Sequence, residues 1–189
     1  MSWMNSGSNW EFFMKMLSPV PGDRILDVGA GRGKVAKRVL GEAGGVEVYA
    51  LEPDEKRVAS MGKTIPQLKC YVGGSEKMPF EDSFFDKAYT TMAAHHFSDL
   101  DSALREFARV LKKEGRLVIL DVEPGRRTGR LYSFFENTVM RRHLKFMGME
   151  QMKEKLTATG RFKISNSIQG TSGYLLLCVV NAQATYDPD

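Results

Sequence analysis

Short apolar runs bounded by glycine, proline or charge alternate along the first two thirds of the chain with stretches whose apolar residues recur every three or four positions. The runs "RILDV", "VEVYAL", "LKCYV", "FDKAYTTM" and "RLVILD" have the length and β-rich content of strands. Their near-continuous apolarity suits strands covered on both faces. Between them, Lys34 to Ala43 and Asp54 to Lys63 predict crossover helices. The clearest helix is predicted from Asp99 to Leu111, where Leu100, Ala103, Leu104, Phe107, Ala108 and Leu111 share a face, with Ser98 as N-cap and Asp101 three residues on. The order β-α-β-α-β then β-α-β predicts an α/β doubly wound sheet, mostly parallel, with helices on both faces. Farther on, Leu131 to Lys155 reads as one or two helices. The runs "FKISNSI" and "YLLLCVV", separated by Gly170 to Gly173, predict an antiparallel C-terminal hairpin that closes one side of the sheet and brings the total to about seven strands.

A chain of 189 residues, 42% of them hydrophobic, has the size of one domain with a full core. Its start, MSWMNSGSNW, lacks the charge and apolar run of a signal peptide, and "YLLLCVV" is too short to span a bilayer, so a soluble, cytoplasmic protein is expected. Cys70 and Cys178 lie in strand-like runs without a second ligand at metal spacing, which predicts buried free thiols and no metal site. The net charge is +4, but the stretch from Pro124 to Lys163 carries ten Lys and Arg against three Glu, leaving the remainder acidic.

The first strand runs directly into "GAGRG". In an open α/β sheet, ligands sit beyond the carboxyl ends of the strands, and the first strand-to-helix turn is the usual cradle. Glycines there let the backbone approach a ligand closely, and the following helix offers unpaired N–H groups. About twenty residues on, the second strand ends at Glu52, where a carboxylate can accept hydrogen bonds from both hydroxyls of a ribose. The glycines of this loop, Gly29, Gly31 and Gly33, give G-x-G-x-G rather than the dinucleotide pattern, and Asp27 sets an acid against the loop. That acid would repel a pyrophosphate and suits a ligand with a positive charge.

At this point the sequence resembles the class I S-adenosylmethionine-dependent methyltransferases, most closely the subfamily that includes the ubiquinone and menaquinone C-methyltransferases. "ILDVGAGRGKVA" looks like their first motif, and "VYALEPD" like the strand that ends in the ribose-binding acid. "GGSEKMPFEDSFFDKAYTTMAAHHF" is similar to their adenine loop and fourth strand, and "ALREFARVLKKEGRLVILD" to the helix and fifth strand that follow. The resemblance covers about Gly22 to Asp121 and departs from the usual pattern at Gly74, where the subfamily commonly has an Asp, and at Lys113-Glu114-Gly115. It implies a single domain over residues 1–189 with a Rossmann-like sheet, the cofactor part at about 22–121 and acceptor-covering helices plus hairpin at about 122–182. It also implies that S-adenosylmethionine is the cofactor. Asp27, Gly29, Ala30, Gly31 and Gly33 would hold its methionine part, Glu52 the ribose, and Pro53, Ser75 and Glu76 the adenine, with Met92 near the sulfonium.

A general base is needed only if the acceptor arrives protonated. His95 and His96, just past the fourth strand, are the candidates, and each can instead bond backbone carbonyls and hold the loop. Glu106 and Arg109, three apart on a helix, predict a surface or sheet-edge ion pair. Between Gly129 and Gly148, Leu131, Phe134, Phe135, Val139, Met140, Phe146 and Met147 supply apolar bulk, while Arg126, Arg127, Arg130, Arg141 and Arg142 supply charge. An apolar lid edged with arginine suits a small-molecule acceptor with an apolar body and an anionic group; the same residues can also simply cover the sheet. Two other classes stay open on the residues. One is an RNA or other nucleic-acid methyltransferase, suggested by the arginines but lacking a recognisable RNA-binding appendage. The other is a domain that binds the cofactor without catalysis.

Overall fold

The computed structural model describes residues 7–126 and 144–182. The middle of the predicted lid, including Arg127, Arg130, Leu131, Phe134, Phe135, Val139, Met140, Arg141 and Arg142, lies outside the described residues.

Strand β1 (Arg24–Val28) is flanked in parallel by β2 (Glu47–Glu52) and β4 (Phe85–Thr91), and β3 (Lys69–Val72) adds to β2. On the other side β5 (Leu111–Val122) runs parallel to β4, and β7 (Gly173–Val180) and β6 (Phe162–Gln169) follow as antiparallel strands. The seven strands form one sheet in the order β3-β2-β1-β4-β5-β7-β6, as the doubly wound pattern with a C-terminal hairpin predicts.

Successive side chains of a strand point to opposite faces, so each apolar strand feeds two cores. Ile25, Val48, Ala50, Tyr89, Val118 and Leu120 pack with helices α1 (Gly7–Leu17), α2 (Lys34–Glu42) and α3 (Glu55–Thr64). Leu26, Val28, Leu51, Ala88, Leu117 and Ile119 pack with α4 (Leu100–Val110) and α5 (Met149–Ala158). Trp10 anchors α1: its indole Nε1 donates to Glu42 Oε2 at 2.6 Å, and the Arg38 guanidinium lies 4.0 Å from the ring centroid. Among the described residues no helix is long and apolar enough to cross a membrane.

Three expectations need correcting. Asp99, not Ser98, caps α4 by accepting from Ser102 N at 3.2 Å. The N–H and hydroxyl of Ser98 both go instead to Glu76 Oε1, at 2.9 and 2.8 Å. A carboxylate from another loop thus outcompetes the local cap. Cys178 is buried, and burial pushes its thiol up to about 12, but Cys70 is only half-buried because β3 is the sheet's edge. Glu106 and Arg109 form the expected ion pair, at 2.6 Å, but as a largely buried clamp rather than at the surface. Arg109 donates to the carbonyls of Phe80 and Met78 at 2.8 and 3.0 Å, while Glu106 accepts from Met78 N at 2.6 Å. Together they pin the loop before β4.

Candidate functional site

The glycine loop begins where β1 ends, and the N–H groups of Gly29 and Ala30 both donate to Leu51 O, at 2.9 and 3.2 Å. Gly29, Gly31 and Gly33 have φ of 76°, 61° and 71°, the left-handed region that favours glycine. The three differ in what surrounds them. A Cβ on Gly29 would come within 2.5 Å of Ala93 Cβ, and one on Gly33 within 2.9 Å of both Ile65 and Met61. One on Gly31 would meet nothing within 4 Å among the described residues. Two glycines therefore serve packing, and the third leaves open the space into which a ligand can come.

Glu52 ends β2 with 4% of its surface exposed. Its Oε2 accepts from Gly31 N at 2.9 Å, and Oε1 accepts from Asp54 N and Arg57 Nη1, both at 3.3 Å. The carboxylate is thereby held at the rim of the loop, as its spacing from the glycines predicts. Gly73 N donates to Glu52 O at 3.2 Å, tying the turn that carries Ser75 and Glu76 to the same strand end. Ser75 is buried and Pro53 exposed. Glu76 braces the start of α4 through the Ser98 contacts above and through Asp99 N at 3.3 Å.

Asp27 is the most unusual group of the set. It is 1% exposed, and among the described residues the Tyr89 hydroxyl is the polar side chain beside it, without a well-formed hydrogen bond to either carboxylate oxygen. Burial is the main cause that pushes its carboxyl up to about 7; the nearby Tyr89 hydroxyl opposes the rise and the charge of Glu52 adds to it. A buried acid so weakly satisfied is expensive, and such groups cluster at functional sites.

Beyond β4, Met92 adopts φ of 52° and its N–H donates to Leu120 O at 2.8 Å. This turns the chain into the 3-10 turn Ala94–His96, alongside the glycine loop because Ala93 packs on Gly29. His95 is buried and His96 exposed. His95 Nδ1 lies 2.5 Å from Asp121 Oδ1, and its backbone N–H donates to Asp121 Oδ2 at 3.0 Å. Sequence reasoning missed Asp121 and its strand partner Tyr174. The available signal was an acid at the carboxyl end of the fifth strand, "VILD", the position at which the second strand already carries Glu52.

The Asp27 and Glu52 carboxylates and the glycine loop are thus brought together at the carboxyl ends of β1 and β2. That arrangement takes a ligand with hydroxyl groups and a cationic part. A family model described as a methyltransferase domain matches residues 26–119, about half of the chain. The demethylmenaquinone methyltransferase of Thermotoga maritima is 34% identical over 128 residues, covering 66% of this chain and 56% of that one. A ubiquinone/menaquinone biosynthesis C-methyltransferase of Burkholderia mallei is 32% identical over 126 residues, covering 60% of this chain and 51% of that one. The chain thus spans about half the length of the curated relatives it matches. A crystal structure of an S-adenosylmethionine-dependent methyltransferase from Mesorhizobium loti superposes with a TM-score of 0.78 over 93% of this chain and 99% of that one, at 18% identity. Residues 26–119 are thus a methyltransferase domain of the class I S-adenosylmethionine-dependent type, similar to the ubiquinone and menaquinone C-methyltransferases.

Proposed function

We propose that this chain binds S-adenosylmethionine across the Gly29–Gly33 loop and Glu52 and transfers its methyl group to a small, lipophilic acceptor. The observation that carries the reading is Asp27, a buried carboxylate with no well-formed hydrogen bond among the described residues, beside a loop whose middle glycine has no described atom within 4 Å of a Cβ position. The residues present fit the cofactor. Asp27 suits its ammonium group, Glu52 suits paired hydroxyls, and the turn at Ser75 and Glu76, with Pro53, suits the base. When bound, the cofactor supplies an electrophilic methyl group on a sulfonium that is already a good leaving group. What the chain must add is alignment of the acceptor and exclusion of water, and alignment contributes up to about 7 to 11 kcal/mol in well-oriented systems. The relatives above are named for demethylmenaquinone and for ubiquinone and menaquinone, which supports a lipophilic acceptor.

Calorimetry tests the reading directly. Wild type binds S-adenosylmethionine, and Glu52→Ala loses about ten-fold or more in affinity, because a hydrogen bond to a charged group contributes about 1.5 to 3 kcal/mol. Melting of the variant without ligand reports the separate loss of the Gly31 and Asp54 contacts. Equal affinity in the two proteins removes Glu52 from the ribose role.

A further inference from the structure

Next to the cofactor cradle lies a cavity lined by His95, Ser98, Asp121, Met147, Met152 and Tyr174, among others. Asp121 is 3% exposed, and its two oxygens take the His95 backbone N–H, the Val122 N–H and the imidazole Nδ1. The ring thus turns Nδ1 to the Asp121 carboxylate, and its other nitrogen is Nε2. The ring is further fixed by Phe146, stacked at 4.6 Å and 21°. Tyr174 is paired with Asp121 across the β5–β7 ladder and is fully buried. Its hydroxyl has no hydrogen-bond partner among the described residues. Burial and the charges of Asp121 and Glu123 raise its pKa, so it stays a donor. A latch for the turn needs only the backbone bonds to Asp121. It needs neither an imidazole nitrogen turned to the carboxylate nor a buried hydroxyl left without an acceptor, which is costly.

We propose that Asp121 is a positioning residue that holds His95 to take a proton at Nε2, and that Tyr174 donates to the bound acceptor. The acceptor class is then one whose nucleophilic atom arrives carrying a hydrogen, rather than one that presents a free lone pair. The proton passes from the acceptor atom to Nε2 while its bonding pair stays on that atom as the nucleophilic pair. The resulting imidazolium is held by the Asp121 carboxylate and returns its proton to solvent. The inference rests on the methyltransferase reading above.

The chain has three histidines, so ring-15N labelling gives three spectra, and His95→Gln identifies the one that matters. The expected wild-type spectrum shows neutral His95 protonated at Nδ1, and Asp121→Asn moves the hydrogen to Nε2. Adding 4-nitrophenol, a chromophoric hydroxyl acid, is expected to convert the wild-type His95 signal towards imidazolium as the phenolate absorbance appears. Asp121→Asn loses both responses, and Tyr174→Phe weakens phenol binding by about five- to ten-fold. A wild-type ring protonated at Nε2, or a His95 signal unmoved by saturating 4-nitrophenol, overturns the proposal even if Asp121→Asn does not fold. Calorimetry with S-adenosylmethionine on the same sample separates the two readings. Cofactor binding with a silent His95 sinks only this inference, whereas a responsive His95 without cofactor binding sinks the methyltransferase reading.

Discussion

Asp27→Asn is expected to bind S-adenosylmethionine at least about 100-fold more weakly than wild type, yet to melt at a higher temperature without ligand at pH 8. Both effects come from one buried charge. Removing the acidic partner of a desolvated cation costs about 3 to 5 kcal/mol, which sets the loss of affinity. Without ligand the sign reverses. The folded-state pKa, about 7, lies above the ordinary 3.8, so the folded chain holds this proton more tightly than the unfolded one. The associated stability is fully present below about 3.8 and is lost as pH rises through about 7. The span between the two values corresponds to roughly 4 kcal/mol. Asparagine carries no charge at any pH, so the melting difference between variant and wild type grows from pH 5 to 8 and then levels. A cation bound beside Asp27 favours its ionised form. Wild-type affinity therefore rises as pH passes through 7, and binding below 7 releases a proton that calorimetry in two buffers detects. Flat affinity from pH 6 to 8, together with wild-type binding by Asp27→Asn, removes Asp27 from the cation site.

The elements that were legible in the chain are those whose pattern is set by burial alone. Four of the five parallel strands lie within a residue or so of their apolar runs; for β1, β2 and β4 this is because a strand covered on both faces has no choice of composition, whereas β3 is the largely exposed edge. The fifth, β5, begins five residues early, at Leu111, and its register against β4 shifts between Phe85 and Lys87. The same logic assigns the hairpin's places: "YLLLCVV" is nearly all buried and lies inside the sheet as β7, while "FKISNSI" alternates exposed with half-buried residues and forms its edge as β6. The site was legible where backbone demands a residue type, as at the glycines, or where an acid ends a strand, as at Glu52. What stayed hidden depends on a distant partner. Glu76 takes Ser98 from 22 residues away, Arg109 reaches carbonyls 29 and 31 residues back, and Asp121 finds His95 across 26 residues. No local pattern carries those separations, because the sheet's crossovers create them.

The glycine loop separates folding from binding in a way that two single substitutions read out. Gly31→Ala places a Cβ where no atom of the described residues lies within 4 Å, so its expected cost to the fold is that of the left-handed backbone, about 1 to 2 kcal/mol. For a chain of this size that lowers the melting temperature by roughly 2 to 8 °C. The new methyl group projects into the space beside Glu52 proposed for the cofactor, and affinity for S-adenosylmethionine is expected to fall by more than about ten-fold, equivalent to more than about 1.4 kcal/mol. Gly29→Ala meets the same backbone penalty and drives its Cβ to within 2.5 Å of Ala93 Cβ. Overpacking adds about 1 to 3 kcal/mol, for a combined cost of roughly 2 to 5 kcal/mol. The strain falls on the turn that carries His95, so the ring spectrum of that histidine moves in Gly29→Ala and stays put in Gly31→Ala. Melting curves, calorimetry and the labelled-histidine spectrum on the two variants give the contrast. Wild-type affinity in a folded Gly31→Ala protein would show that the loop is only a turn, and a Gly29→Ala protein as stable as Gly31→Ala would mean that Ala93 yields without cost.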